Sequence, residues 1–202
     1  MIRFLNQETK NIASAATIVA AFAFLSRIAG FIRDRILAGR FGAGDTLDAY
    51  YAAFLVPDFL FSLLVVGALS ASFIPLFIKH YQGNKKSAWD FTNNVLNIAA
   101  VSIAIISVVL FILTPQIAEL IAPKFSQSKL DLVITFTRIM FVSDFLLALS
   151  AVFGSALQGM KRFLVYSLAP VLYNLGIIIG ATVLVPAMGP AVPEPDGGST
   201  RR

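Results

Sequence analysis

The chain has 202 residues, of which 57% are hydrophobic and 13% are charged, and its mean hydropathy is +0.80. Soluble domains carry about 45–50% apolar and about 25% charged residues, so this composition excludes a soluble globular enzyme, an all-β fold and a disordered chain. The net charge of +5 comes from basic residues that lie between apolar runs, which argues against a nucleic-acid-binding surface, and the lack of cysteine excludes a disulfide scaffold.

Five apolar runs are each long enough to cross a hydrocarbon core of about 30 Å at a rise of about 1.5 Å per residue. They cover residues 12–32, 49–78, 95–113, 130–157 and 163–185. The sequence therefore predicts an all-α fold, a polytopic transmembrane helix bundle of about five spans within residues 1–185. Residues 186–202 are rich in proline and glycine without a helical period, which predicts a disordered tail.

The first span carries charged residues, and a charge near the centre of a span costs about 2.5–3.5 kcal/mol on insertion scales. Arg27 and Asp34 lie within about 20° of one helical face, because seven residues turn a helix through about 700°. Arg33 lies about 120° around the helix, and Ser26 and Gly30 lie beside the first face. Arginine binds phosphate oxygens through paired N–H donors, so this group predicts an anion site.

The second span is longer than a bilayer requires and contains Pro57, Gly67 and Pro75. It must therefore tilt, bend or protrude, and a kink from packing alone is the simplest interpretation. Its interior also carries one charged residue, Asp58.

The fourth span carries Arg138 and Asp144, and an alternative interpretation of all the interior charges is pairing between helices without a ligand. In that interpretation Arg27 or Arg138 is neutralised by Asp58 or Asp144, and pairing is favoured most for Arg138 with Asp144. The sequence carries no metal-binding or nucleophilic motif, so we expect neither a metal nor another cofactor and no enzymatic activity.

The loop charges predict a cytoplasmic N-terminus, because positive residues are enriched on the cytoplasmic side. With that orientation the cytoplasmic cations are Arg3, Lys10, Lys79, Lys85, Lys86, Lys161 and Arg162. The opposite side carries fewer cations, and several acidic residues accompany them.

Four short motifs follow one another along the chain. They read S-R-x-x-G-F-x-R-D at Ser26–Asp34, F-G-A-G-x-x-x-D-A at Phe41–Ala49, G-A-L-S-x-x-F-x-P at Gly67–Pro75, and R-F at Arg162-Phe163 with A-P-x-L-Y-N at Ala169–Asn174. In this combination the chain resembles the N-terminal part of the bacterial lipid II flippase family, within the superfamily that includes the MATE exporters.

The resemblance implies a multi-pass protein of the bacterial cytoplasmic (inner) membrane. It implies flipping of the undecaprenyl-diphosphate-linked peptidoglycan precursor by alternating access, with a cationic cavity that binds the diphosphate. The family's essential arginines fall on Arg27 and Arg33, with Asp34 beside the second, and its conserved aspartate falls on Asp48. The implied partners are the lipid-linked diphosphate substrate and membrane lipids.

Two departures from the family pattern reduce the charge of that cavity. The stretch Pro57–Ser62 lacks the arginine pair that the family often has, and Val66 replaces a frequent glutamate. Export of another polyprenyl-linked saccharide, or of a small molecule as in MATE exporters, is therefore an alternative. A non-transporting module that binds lipid or a partner is another.

The family has two pseudo-symmetric lobes, and this chain corresponds to most of one. Transport by alternating access needs two bundles that move around a central site. The chain is therefore expected to be a truncated N-terminal part that depends on a C-terminal lobe or on cell-wall synthesis partners.

Overall fold

The chain folds into a series of helices, and the computed structural model describes residues 11–42, 44–62 and 70–188. In chain order the α-helices are α1 Ile12–Phe41, α2 Asp45–Ala53, α3 Leu55–Phe61, α4 Ser70–Gly83, α5 Lys85–Ile121, α6 Gln127–Gly159 and α7 Phe163–Ile179. A π-helical segment, Gly180–Leu184, joins α7 to the short helix α8, Val185–Met188. The predicted all-α helix bundle is confirmed.

Four helical runs are long and apolar enough to cross a membrane: α1, α5, α6 and the run Phe163–Ala187. They contain the predicted spans 12–32, 95–113, 130–157 and 163–185 and extend beyond most of their ends. The extensions are polar, because a helix continues past the apolar slab until a cap or breaker stops it. At the start of α5, the Asn84 side chain accepts a hydrogen bond from the Lys86 backbone N–H at 2.8 Å.

The predicted span 49–78 is not one continuous helix. It is interrupted between α2 and α3, and α3 and α4 are separated in the sequence by residues 63–69, including Val66 and Gly67, which lie outside the described residues. Pro57 explains the break after α2, because proline has no N–H to donate to the carbonyl of Ala53 four residues earlier. The Thr137 hydroxyl on α6 donates to that carbonyl instead, at 3.3 Å. The expected bend therefore takes the form of a helix break that is anchored on α6.

Helix α6 is the centre of the bundle and packs against α2, α3, α4, α5 and α7, while α1 packs along α7. Two apolar clusters lie along α6. The first joins α4, α5 and α6 through Phe73, Phe77, Ala88, Ala99, Ile103, Ala148, Val152, Ala156 and Met160. The second joins α2, α5 and α6 through Ala49, Ala53, Ala118, Ala122, Leu130, Val133 and Met140.

The outer face of α5 is apolar and exposed. Ile98, Val101, Ile105, Val108 and Ile112 are each at least 60% exposed. Their spacing of three and four residues places them on one stripe of the helix. An exposed stripe of this kind is suited to hydrocarbon rather than to water, so the bundle is a multi-pass membrane protein.

The predicted disordered tail begins inside a described element. Residues 186–188 belong to α8. Residues 189–202 lie outside the described residues, so the prediction for them stays untested.

Candidate functional site

The face of α1 that packs on α7 carries a polar cluster around Asn174. Ser26, Gly30 and Arg33 share this face because they are spaced by four and three residues. The Asn174 amide nitrogen donates to the Ser26 hydroxyl at 3.1 Å and to the Pro170 carbonyl at 3.0 Å. Its amide oxygen accepts a hydrogen bond from Nη1 of Arg33 at 2.9 Å. Asn174 is 6% exposed, so these bonds are formed inside the bundle.

Gly30 lies directly beneath the Asn174 amide. A Cβ atom at Gly30 would lie 3.6 Å from the Asn174 side-chain oxygen. That distance is an ordinary van der Waals contact, so the amide lies close to α1 between Ser26 and Arg33, and an alanine at position 30 would also fit.

The guanidinium of Arg33 is held in a fixed orientation. Its Nε and Nη2 both lie 2.9 Å from Oδ1 of Asp34, while Nη1 is bonded to Asn174. A guanidinium has five N–H donors, so these contacts leave N–H groups on the terminal nitrogens for an anion. The Arg33 side chain is 24% exposed, which leaves it accessible from one side.

Arg27 and Arg33 are not brought together by a contact. Helix α1 is unbroken through Gly30, so the two arginines keep their separation of about 120° around the helix. Arg27 is exposed and makes no hydrogen bond or ion pair with the described residues. Asp34 lies on the Arg27 face, yet its carboxylate bonds to Arg33.

Three other polar side chains lie within electrostatic range of Arg33 without a hydrogen bond or ion pair to it in the described ranges. They are Asp58 on α3, Tyr50 on α2 and Tyr173 on α7. The Tyr50 ring also packs edge-on against Phe54, with ring centroids 5.0 Å apart. The broken second span thus brings an acidic and an aromatic residue to the side of the first span.

Asp48 lies in a different cluster from the α1 residues. Its carboxylate lies 2.8 Å from Nζ of Lys129, and Asp45 lies 2.9 Å from the same nitrogen. The Lys129 ammonium also lies 4.2 Å from the centre of the Phe125 ring. Asp48 therefore joins α2 to the start of α6 and does not contact Arg27 or Arg33.

The expected pairing of Arg138 with Asp144 is absent from the described part of the chain. Six residues turn a helix through about 600°, so the two side chains lie about 120° apart on α6. Nε of Arg138 lies 3.4 Å from the Phe111 carbonyl, and its guanidinium lies 4.8 Å from the Phe111 ring centre. Asp144 is 7% exposed, and within the same ranges its Oδ2 has no hydrogen-bond partner. Asp58 likewise forms no ion pair there.

The sequence motifs contained Asn174, a contact residue that was not expected at the site. It is the last residue of the A-P-x-L-Y-N motif. An amide in an apolar span was a usable signal, because a buried amide requires hydrogen-bond partners.

Comparison with known proteins gives one consistent family. The profile of the lipid II flippase family MurJ matches residues 37–193. A lipid II flippase MurJ from Burkholderia cenocepacia is 32% identical over 182 residues, covering 87% of this chain and 35% of that protein. Probable lipid II flippases MurJ from Buchnera aphidicola subsp. Baizongia pistaciae and Rickettsia prowazekii are 28% and 29% identical, over 90% and 80% of this chain.

The matched regions have two limits. The chain spans about a third of the length of these curated relatives. The family profile begins after Arg33, so it includes Asp48 and Asn174 but not the charged residues of α1. The assignment of Arg27, Arg33 and Asp34 therefore depends on the motif at Ser26–Asp34 and on the contacts described above.

Proposed function

The chain belongs to the lipid II flippase family MurJ, and on this premise we propose that it takes part in moving lipid II across the bacterial inner membrane. Lipid II is the undecaprenyl-diphosphate-linked precursor of peptidoglycan. The family is a transporter family, and the spanning helices place this bundle in the membrane as a multi-pass protein.

The observation that carries the proposal is the oriented guanidinium of Arg33. Its Nε and Nη2 lie 2.9 Å from one oxygen of Asp34, its Nη1 lies 2.9 Å from the side-chain oxygen of Asn174, and some of its N–H groups stay unused. A cation inside a membrane segment is costly unless an anion accompanies it. The diphosphate of the substrate supplies that anion, because the paired N–H donors of a guanidinium match the spacing of phosphate oxygens.

In this proposal Asp34 and the substrate compete for Arg33. Without substrate, the Asp34 carboxylate balances the arginine, and a diphosphate displaces that ion pair when it enters. When the substrate leaves, Asp34 pairs with Arg33 again. Arg27, exposed on the neighbouring face, supplies the second positive charge. Binding is therefore an exchange of anions rather than the exposure of a bare cation.

The described helices supply one bundle, with α6 at its centre. Alternating access requires a second bundle that moves against the first around the binding site. We therefore propose that this bundle works together with a C-terminal lobe or with cell-wall synthesis partners.

A binding measurement on the chain in lipid nanodiscs tests the site. We expect Arg33→Ala to weaken binding of undecaprenyl diphosphate about ten- to a hundredfold, because charge-assisted hydrogen bonds contribute about 1.5–3 kcal/mol. Arg35→Ala, an exposed arginine on the same helix, is the matched control and keeps the affinity of the unsubstituted chain. Equal affinity of Arg33→Ala and the unsubstituted chain would falsify the assignment of the site.

Asp58 favours a second candidate function. Asp58 lies in the stretch Pro57–Ser62, where the family often carries an arginine pair. Its electrostatic interaction with Arg33 lowers the positive charge of the site. Another polyprenyl-linked saccharide with fewer negative charges fits such a site. A competition between undecaprenyl diphosphate and undecaprenyl monophosphate in the same nanodiscs decides between the two functions. The diphosphate binds more tightly if the first proposal holds, and the monophosphate binds more tightly if the second does.

A further inference from the structure

A cavity of about 330 Å³ lies between α1, α2 and the far end of α7, and the proposed function of Arg33 does not use it. We call it the α1–α7 cavity. Its walls are almost entirely apolar and include Leu37 of α1, Leu47 and Tyr50 of α2, and Ile177 of α7. The volume lies within the range of about 300–1,000 Å³ that holds small ligands in proteins. The cavity therefore has room for an apolar part of a ligand.

The α1–α7 cavity continues the pair of helices that forms the anion site. On α1, Leu37 follows Arg33 by four residues, which is one helical turn. On α7 and its π-helical extension, Ile177 and Ala181 follow Asn174 by three and seven residues, which is one and two turns. Because Arg33 bonds to Asn174 at 2.9 Å, the cavity begins about one turn, or about 5 Å, beyond that contact. Along the two helices a polar contact is thus followed by an apolar space.

Helix α1 is joined to α7 and its extension on both sides of the cavity. On one side Arg33 bonds to Asn174, and on the other Nη1 of Arg40 lies 3.4 Å from the Thr182 carbonyl. Between these contacts Gly180 lies in the cavity wall, and a Cβ atom built there would meet nothing within 4 Å. The cavity is therefore an open space between two contacts, and a larger side chain at Gly180 has room to enter it.

A chain that occupies this cavity must be selected by something other than hydrophobicity, because lipid tails are as apolar as the cavity walls. Tethering supplies that selection. A chain whose head group is held at Arg33 stays beside the cavity at a high effective concentration, and a free lipid chain does not.

The chemistry of the two kinds of lipid favours a prenyl chain over an acyl chain. In a polyprenyl diphosphate the first isoprene unit is bonded directly to the diphosphate. In a phospholipid, glycerol and polar ester groups stand between the phosphate and the chains, and burying those groups against apolar walls is unfavourable. A cavity that begins one turn from Arg33 therefore suits the prenyl chain.

We propose that the α1–α7 cavity binds the isoprene units next to the diphosphate, so that Arg33 holds the head group and the cavity holds the start of the chain. This proposal rests on the proposed function of the Arg33 site and adds a second point of recognition to it. The bundle then distinguishes a polyprenyl diphosphate from other anions by its chain as well as by its charge.

Filling the cavity tests the proposal in lipid nanodiscs. We expect Gly180→Leu to weaken binding of undecaprenyl diphosphate about tenfold, the lower end of what one methylene group contributes in an apolar pocket. Binding of inorganic diphosphate, which has no chain, stays unchanged. Gly176→Leu is the matched control: it lies one turn earlier on α7, an added Cβ there also meets nothing within 4 Å, and it does not line the cavity. Equal affinities of the two variants for undecaprenyl diphosphate overturn the proposal.

Photolabelling of the unsubstituted chain keeps the proposal testable if Gly180→Leu does not fold. A polyprenyl diphosphate with a diazirine in its first isoprene units should label residues of the cavity wall, and an excess of undecaprenyl diphosphate should prevent this labelling. Labelling confined to the exposed stripe of α5 overturns the proposal. Equal labelling of the cavity by a phosphatidylglycerol with a diazirine in its acyl chain also overturns it, because any lipid chain then occupies the space.

The cavity and the anion site fail separately. If undecaprenyl diphosphate binds and depends on Arg33 but not on the residue at position 180, the cavity proposal is overturned and the proposed function stands. If Arg33→Ala binds both diphosphates as tightly as the unsubstituted chain, the proposed function is overturned, and the photolabel still decides whether the cavity holds a prenyl chain.

Discussion

Asn174 is the residue that joins the anion site to the rest of the bundle. Its side-chain oxygen accepts a hydrogen bond from Arg33, and its side-chain nitrogen donates to Ser26 and Pro170. One amide therefore bonds to both α1 and its own helix, α7. Its partner Arg33 is 141 residues away in the sequence. That separation is the reason why the sequence predicted Arg33 and Asp34, which are neighbours, and did not predict the amide that completes their geometry.

Replacing Asn174 separates the structural from the electrostatic part of this contact. Asn174→Ala leaves Arg33 and Ser26 without a buried partner, and we expect a loss of about 1–3 kcal/mol in the free energy of unfolding. Asn174→Asp removes the same N–H donors to Ser26 and Pro170, so it should also lose stability, but it adds a carboxylate beside Arg33 and should therefore block the anion, which Asn174→Ala does not. Chemical unfolding in detergent and undecaprenyl diphosphate binding measure the two effects, and tight binding by Asn174→Asp would contradict this account.

At the scale of elements, the predicted spans agree with the helices except where proline removes a hydrogen bond. Four apolar runs lie inside the long helices, because an apolar run of that length has no stable alternative in lipid. The run 49–78 contained Pro57, and a bend was predicted. That the helix would break at Pro57 could not be predicted, because Pro75 lies inside α4, and the carbonyl of Ala53 left free by Pro57 finds its partner in Thr137 of α6, far away in the sequence.

Thr137 is therefore expected to stabilise the break between α2 and α3. Thr137→Val keeps the shape of the side chain and removes the donor to Ala53, at an expected cost of about 1 kcal/mol in the free energy of unfolding. Thr135→Val is the matched control, because the Thr135 hydroxyl bonds only within α6, to the Asp131 carbonyl. Chemical unfolding of both variants in the same detergent gives the comparison, and equal midpoints would exclude the role assigned to Thr137.

The contact between α4 and α6 depends on Gly159. A Cβ atom there would lie 2.6 Å from Cδ1 of Phe77, which is fully buried, so the helices would have to move apart. We expect Gly159→Ala to lower the unfolding free energy by about 1–3 kcal/mol, as overpacking does.

Two further variants isolate this overpacking effect. At Gly176 an added Cβ meets nothing within 4 Å, so Gly176→Ala should be neutral or stabilising. Adding Phe77→Leu to Gly159→Ala should recover part of the loss. A Gly159→Ala variant as stable as Gly176→Ala would show that the two helices do not approach this closely.

At the scale of the whole molecule, the bundle has two differently charged ends. Helix α5 has 37 residues, which at about 1.5 Å per residue exceeds the thickness of a bilayer. Lys79, Lys85 and Lys86 lie near its start, whereas the Lys129 cluster with Asp45 and Asp48 follows its end. The positive-inside rule therefore predicts that the start of α5, and with it the N-terminus, faces the cytoplasm.

The lack of cysteine makes this orientation directly measurable. Gln82 and Ser128 are both exposed and lie at opposite ends of α5, so each can carry a single introduced thiol. In intact cells, a maleimide that does not cross membranes should label Ser128→Cys and leave Gln82→Cys unlabelled until the cells are opened. The reverse pattern would place the N-terminus outside and would require the substrate to meet the Arg33 site from the other leaflet, because the helix order fixes the two ends relative to each other. Labelling of both positions in intact cells would instead show that α5 does not cross the membrane.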